Sequence, residues 1–232
     1  MSKFNVLCAT VLLAASGAAS ASVVPTWYTQ DVLMKDKTSY TFKTNSDAIK
    51  TYDIGLQSGA VLVDYTFSFT GTPKNNAYLG LWFGDMNGPN FGMKANCGDG
   101  SCTDDAFIRY TLGNETYMDG SALVAGQSYH LVAYLYKNSG SIGTGSAYDG
   151  FKMWLNPTAY ELATLSGADA SASGANKLSS FDTIGFRTAN IGGGVAVNVS
   201  NVTVTAVPEP ATLSLFGLAA AGLAVARRRK KA

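Results

Sequence analysis

Ala60-Val61-Leu62-Val63-Asp64-Tyr65-Thr66-Phe67-Ser68-Phe69 reads as a β-strand. Val61, Val63, Tyr65, Phe67 and Phe69 recur at every second position, with Asp64, Thr66 and Ser68 between them. That alternation predicts one buried face and one wet face. Working outward, Tyr78-Leu79-Gly80-Leu81-Trp82-Phe83 is apolar on both faces and predicts a central strand. Further strands are predicted over residues 106–111, 129–136, 151–155, 181–187 and 195–204. Turn-forming stretches separate them, among them Asp85-Met86-Asn87-Gly88-Pro89-Asn90, Asn138-Ser139-Gly140 and Gly192-Gly193-Gly194. Helix-like patterning is confined to one or two turns within residues 157–165. Many short strands, glycine-rich turns and no βαβ alternation predict an all-β, antiparallel sandwich or barrel. No period of 20–50 residues recurs, which argues against propellers and solenoids.

Composition agrees. Of 232 residues only 14% are charged, 11% are aromatic and 25 are glycine. Charge stands well below the ~25% of ordinary globular chains, which excludes coiled coils and solvated disordered chains. The formal charge of +1 conceals an asymmetry, because six of the 17 basic residues sit at the two ends. Between them 11 basic residues face 15 acidic ones, and an acidic body without a basic stripe excludes a nucleic-acid partner.

The ends read as addresses. Lys3, the apolar run 6–15 and the small-x-small triplet Ala19-Ser20-Ala21 form a secretory signal peptide over residues 1–21, cut by signal peptidase after Ala21. Cys8 lies near the start of that run and leaves with the signal. At the other end Val207-Pro208-Glu209-Pro210 leads into an apolar stretch, 211–226, and then into Arg227, Arg228, Arg229, Lys230 and Lys231. Two prolines around Glu209 stop any strand. Sixteen apolar residues as a helix span roughly 24 Å, close to the ~30 Å hydrocarbon core when flanking arginines snorkel. The basic cluster then stays cytoplasmic and stops transfer, with the body outside the membrane.

This tripartite end, 207–232, resembles the PEP-CTERM sorting signal of Gram-negative bacteria that make exopolysaccharide. The resemblance implies recognition of Pro208, Glu209 and Pro210 by an exosortase at the inner membrane. Delivery to the cell surface or extracellular matrix would follow. By that resemblance the chain is a substrate and not an enzyme.

The body, 22–206, resembles a concanavalin/laminin-G-like jelly roll. The resemblance rests on Leu79-Gly80-Leu81-Trp82-Phe83, Gly88-Pro89-Asn90-Phe91-Gly92, Phe151-Lys152-Met153-Trp154-Leu155-Asn156-Pro157 and Phe181-Asp182-Thr183-Ile184-Gly185-Phe186-Arg187. It implies a jelly-roll-like β-sandwich ectodomain. Where relatives carry an Asp-Asn pair in the last strand, the acidic member helping to hold Ca²⁺, this chain has Ser200-Asn201.

Cys97 and Cys102, in Cys-Gly-Asp-Gly-Ser-Cys, are the pair left after signal cleavage and read as a disulfide in an exported chain. Four intervening residues do not make a redox Cys-x-x-Cys, and one distant histidine cannot complete a zinc site. Asp99, Asp104 and Asp105 around that pair suit calcium as clustered oxygen ligands, or form a solvated loop. No other cofactor is implied. His130, the sole histidine, sits within a predicted strand. There is no Gly-x-Ser-x-Gly elbow and no Glu-x-Asp-x-x-Glu strand, so no hydrolase or glycosidase is supported. Trp82, Trp154, Tyr134 and Tyr136 lie in predicted strands, either as core or as exposed rings that stack on a glycan. The expectation is a sorted, exported protein with a structural or adhesive role in exopolysaccharide or biofilm. The alternative is a carbohydrate-binding module.

Overall fold

The computed structural model of the chain describes residues 31–32, 39–96, 103–111, 114–118, 123–138, 147–174 and 176–207. Outside them lie the expected signal peptide with Ala19 and Ala21, Cys97, Asp99, Cys102, the element Pro208-Glu209-Pro210, the apolar segment and the basic cluster Arg227 to Lys231.

In chain order the strands are β1 (Asp31–Val32), β2 (Ser39–Phe42), β3 (Ser46–Gln57), β4 (Val61–Thr70), β5 (Tyr78–Phe83), β6 (Asn90–Asn96), β7 (Thr103–Thr111), β8 (Asn114–Tyr117), β9 (Ser128–Tyr136), β10 (Gly150–Leu155), β11 (Ala170–Ser173), β12 (Phe181–Ala189) and β13 (Ala196–Ala206). One helix, α1 (Ala159–Thr164), lies between β10 and β11. The first sheet runs β1-β13-β4-β9-β10-β11, with β2 also on β13; the second runs β3-β12-β5-β6-β7-β8. Pairing is antiparallel throughout, giving a jelly-roll sandwich.

The inner faces meet in an aromatic core. Val61, Val63, Tyr65, Phe67 and Phe69 of β4 all point into it, as the alternation requires. Tyr65 packs edge-on to Phe186 at 5.3 Å, and its hydroxyl donates to the Phe91 carbonyl. Phe83 meets Phe151 and Phe181 in T-shaped contacts, the favoured aromatic geometry. Apolar on both faces, β5 is indeed central to its sheet.

In β13 the inward valines change parity: Val197 and Val199 are buried, then Val202 and Val204. Pairing with β4 shifts register between Ser200 and Thr203, and Asn201 takes φ +54. An extra residue in a bulge resets the period, and asparagine tolerates the left-handed conformation better than most residues.

The wet face expected of β4 is not wet at Leu62 and Asp64. Leu62, Val132 and Trp154 form a second cluster on the outer face of the first sheet, with Leu162, Leu165 and Ala168 packed over it. Those three come from α1 and the segment after it. Thr158 starts α1 with a capping box: its hydroxyl accepts from the Glu161 N–H, and the Glu161 carboxylate accepts from the Thr158 N–H. The Trp154 indole donates to the Ser166 carbonyl at 2.8 Å, tying strand to covering segment. Asp64 is buried, taking hydrogen bonds from Thr203 and His130.

Candidate functional site

Two of the four candidate glycan aromatics are unavailable to solvent. Trp154 is fully buried beneath α1 and the segment after it. Trp82 is 5% exposed and lies flat on Gly185, where a Cβ would come within 2.4 Å of the indole ring. At that exposure the Trp82 ring offers almost no surface for a sugar to stack on. Tyr134 and Tyr136, two apart on β9, do share the outer face of the first sheet, half-buried and stacked at 4.8 Å and 12°. Lys152 lies 5.9 Å from the Tyr136 ring centroid.

Asp104 and Asp105 are not loop residues, because β7 begins at Thr103 and takes both into its ladder. Asp105 is buried opposite Lys94. Among the described residues no group of three His, Cys, Asp or Glu side chains converges to hold a metal. His130 bonds Asp64 through Nε2 at 3.1 Å, and the Thr203 hydroxyl donates to the other Asp64 oxygen. With Asp64 at the centre and the hydroxyl proton committed to it, this is no nucleophile–base pair.

The outer face of the second sheet carries a different constellation. Register aligns Trp82 with Asn90, Asn90 with Arg109, and Arg109 with Glu115, one row across β5, β6, β7 and β8. Two residues along, Gly80, Gly92, Phe107 and Tyr117 form the next row, and then Tyr78, Lys94 and Asp105. Strand alternation puts all of these on one face, with Leu79, Leu81, Phe91, Met93, Ala106 and Ile108 turned into the core. Side chains are missing at Gly80 and Gly92. A cleft of about 140 Å³ lies among Tyr78, Lys94, Phe107, Arg109 and Glu115, with Asn76 and Asn190. The Asn190 amide donates to the Asn76 carbonyl and ties those two turns together.

Glu115 organises the charges. Its Oε2 accepts from Lys94 Nζ at 2.5 Å and from the Tyr117 hydroxyl at 2.6 Å, while Oε1 stands 3.9 Å from Arg109 Nη1. Burial works to raise the Glu115 pKa, but Lys94, Tyr117 and Arg109 outweigh it and hold the carboxyl below its ordinary value. Burial works to lower the Lys94 pKa, and Glu115 and Tyr117 hold it above the ordinary value instead. A carboxylate depressed by folding contributes stability above its unfolded pKa and loses it as pH falls. Glu115→Gln is therefore expected to flatten the fall in Tm between about pH 5 and 3, measured against the parent by thermal melts.

Arg109 is left incomplete. Its Nε and Nη2 are buried and, among the described residues, without an acceptor. Asn90 Oδ1 and Trp82 Nε1, its successive neighbours in the row, are also buried and unpartnered. Buried polar groups nearly always find partners, and each orphan costs about 1–3 kcal/mol. Three neighbouring side chains in one row carry such atoms. The sequence reading missed Asn90, Lys94, Arg109 and Glu115. The available signal was a lone cation inside each of two apolar strands, Lys94 in Phe91-Gly92-Met93-Lys94-Ala95 and Arg109 in Phe107-Ile108-Arg109-Tyr110.

By topology the described body is a jelly-roll-like β-sandwich of two antiparallel sheets. The chain carries a particular tail: residues 206–230 match the PEP-CTERM protein-sorting motif. The motif implies processing by an exosortase, with export and membrane-anchored sorting in Gram-negative bacteria. Solved structures with a similar fold include sheep galectin-11 in complex with glycerol, at 13% identity and TM-score 0.39, covering 68% of this chain and 97% of that one. A family 16 glycosyl hydrolase protein from Mycobacterium smegmatis shows 11% identity and TM-score 0.41, covering 72% and 75%. The polysaccharide lyase family 18 protein aly-SJ02 shows 8% identity and TM-score 0.45, covering 75% and 90%. No curated protein sequence matches the chain.

Proposed function

We propose that this protein is exported by a signal peptide cut after Ala21 and sorted through Pro208-Glu209-Pro210. Arg227 to Lys231 stop its transfer at the inner membrane. It serves at the cell surface or in the extracellular matrix as an adhesive or structural component of exopolysaccharide or biofilm. Its grip on that polymer is the outer face of the second sheet. The observation that carries this reading is Arg109, whose Nε and Nη2 are unpartnered among the described residues and whose side chain lines an open cleft beside Lys94 and Tyr78. An arginine whose Nε and Nη2 lack an acceptor suits a planar anion such as a carboxylate, and the side-chain amides of Asn76 and Asn190 in the cleft lining suit hydroxyls. Both occur together on an acidic sugar. At about 140 Å³ the cleft is smaller than the roughly 300 Å³ at which ligand pockets usually begin, so it takes one sugar residue of a chain.

Oligosaccharides of uronic acids are expected to raise the Tm of the surface-recovered protein. Saturation at 100 times Kd corresponds to about 2.7 kcal/mol. Arg109→Lys keeps the charge and loses the fork, and is expected to abolish the shift. Equal stabilisation by neutral oligosaccharides, or a full shift with Arg109→Lys, would count against an acidic ligand. The alternative contact is the Tyr134–Tyr136 pair; a shift lost on Tyr134→Ala but kept in Arg109→Lys would move the site there.

Sorting has its own test. Glu209→Ala, and deletion of residues 227–231, are each expected to leave unprocessed chain at the inner membrane or misdirect it. Normal surface delivery of both variants would sink the sorting role. Terminal mapping of the mature protein by intact mass should find Ser22 at the start and an end near Pro208 to Pro210. The same mass reports the proposed Cys97–Cys102 disulfide, which the pairing of Asn96 with Thr103 beside them supports. Its closure of a short loop stabilises the fold by about 2 kcal/mol.

A further inference from the structure

The last strand runs into the sorting motif without slack. Ala206, the end of β13, pairs with Val61 on the central strand β4. Val207 is then held twice. Its N–H donates to the Ala60 carbonyl at 2.8 Å, and its side chain packs on the cluster of Leu62, Val132 and Trp154 beneath α1. Pro208 is the next residue. The Pro-Glu-Pro element therefore begins one peptide bond after a docked residue.

That adjacency matters to any enzyme that must take the element into an active site. Peptide-cleaving enzymes act on exposed, locally unfolded chain, and a segment paired in a sheet must first open. The room on the other side is short. Val207 and Ala211, where the apolar segment starts, are four residues apart, at most about 14 Å of extended chain. The polar headgroup layer alone takes about 5–8 Å of that reach.

We propose that release of Val207 from the Leu62–Val132–Trp154 cluster is the gate for sorting. A membrane-embedded processing enzyme gains Pro208 to Pro210 only when the end of β13 lifts from the sandwich. This rests on the sorting role of the motif. After processing the freed end docks again on the cluster, so the mature protein keeps its second core. When opening and reclosing are fast relative to cleavage, the rate follows the equilibrium population of the open form, so it tracks how firmly Val207 is seated.

Pulse–chase processing of the full chain in its native host tests this with two variants. Val207→Gly loosens the seat without changing the distance to the membrane, and is expected to speed conversion at least about fivefold. An insertion of eight Gly/Ser residues between Val207 and Pro208 leaves the seat intact and frees the element, and is expected to speed it as well. Both variants should melt cooperatively, since Val207 lies past the last ladder pair. Parental or slower processing of either variant would overturn the gate. Faster processing of the insertion alone would assign the limit to crowding at the membrane instead. Glu209→Ala in the same experiment separates the two ideas: if it is processed normally the sorting role itself fails. If it blocks processing while Val207→Gly and the insertion change nothing, only the gate fails.

Discussion

Trp154→Ala is expected to destabilise the sandwich by about 3–5 kcal/mol, the range for emptying a large buried aromatic. In a domain of this size that is roughly 6–20 °C in Tm. Trp154 has no solvent exposure and anchors the second cluster, with Leu62 and Val132 beside it and Leu162, Leu165 and Ala168 above. Truncation opens a hole on the outer face of the first sheet and removes the donor to the Ser166 carbonyl. Trp154→Phe keeps most of the bulk and loses that hydrogen bond, so a smaller cost of about 1–2 kcal/mol is expected. Urea melts of both variants give the comparison. A loss below about 1 kcal/mol for Trp154→Ala would mean that α1 and its segment contribute little to the fold. Hydrogen exchange localised to residues 158–168 would then show local undocking instead.

Gly92→Ala is expected to be at least as damaging, by about 3 kcal/mol or more, the upper end of overpacking costs. A Cβ at position 92 would stand 1.9 Å from the Leu79 carbonyl oxygen and 3.0 Å from the Gly80 Cα. These are backbone atoms of the neighbouring strand and have no rotamer to yield. Strands β5 and β6 would have to part at the Gly80–Gly92 pair, in the middle of the second sheet and between the rows that carry Arg109 and Lys94. Loss of saccharide binding should therefore accompany the loss of stability. Gly192→Ala is the control: nothing lies within 4 Å of its Cβ, and a change within about 0.5 kcal/mol is expected. Equal behaviour of the two variants in thermal melts would contradict the close approach of β5 to β6.

Strands with strict alternation or continuous apolar runs were legible, as β4, β5, β9 and β10 show. Those missed carry weaker signals. The twelve residues of β3 include Asp47, Lys50, Asp53 and Gly55, and β3 is an edge strand, where charge and glycine are tolerated because one side has no partner. Likewise, β6 opens directly out of the Gly88-Pro89 turn, so its first residues read as turn. Within β13 the period slips at Asn201, which only a bulge can reconcile with one buried face.

The site was less legible than the fold. Aromatic content pointed to Trp82 and Trp154, since exposed rings and core rings have the same composition. Burial separates them, and burial depends on Gly185 lying under one indole and α1 over the other. Arg109 drew no notice because its meaning comes from neighbours distant in sequence: Asn90 on one side, Glu115 on the other, and an unanswered Nε and Nη2.

Local chemistry was enough to read the fold class and the C-terminal sorting motif. Alternation, turn residues and low charge specify an antiparallel sandwich through the two-residue period of a strand. The tail 207–232 is contiguous, so its proline pair, apolar run and cations are read by proximity alone. What required tertiary structure was everything that depends on register. A one-residue slip exchanges the two faces of a strand, and no single segment encodes its partner's offset. Register decided that Asp64 is buried with His130 and Thr203, that Asn90, Arg109 and Glu115 line up across β6 to β8, and that Val207 is seated in a second core one residue before the Pro-Glu-Pro element begins.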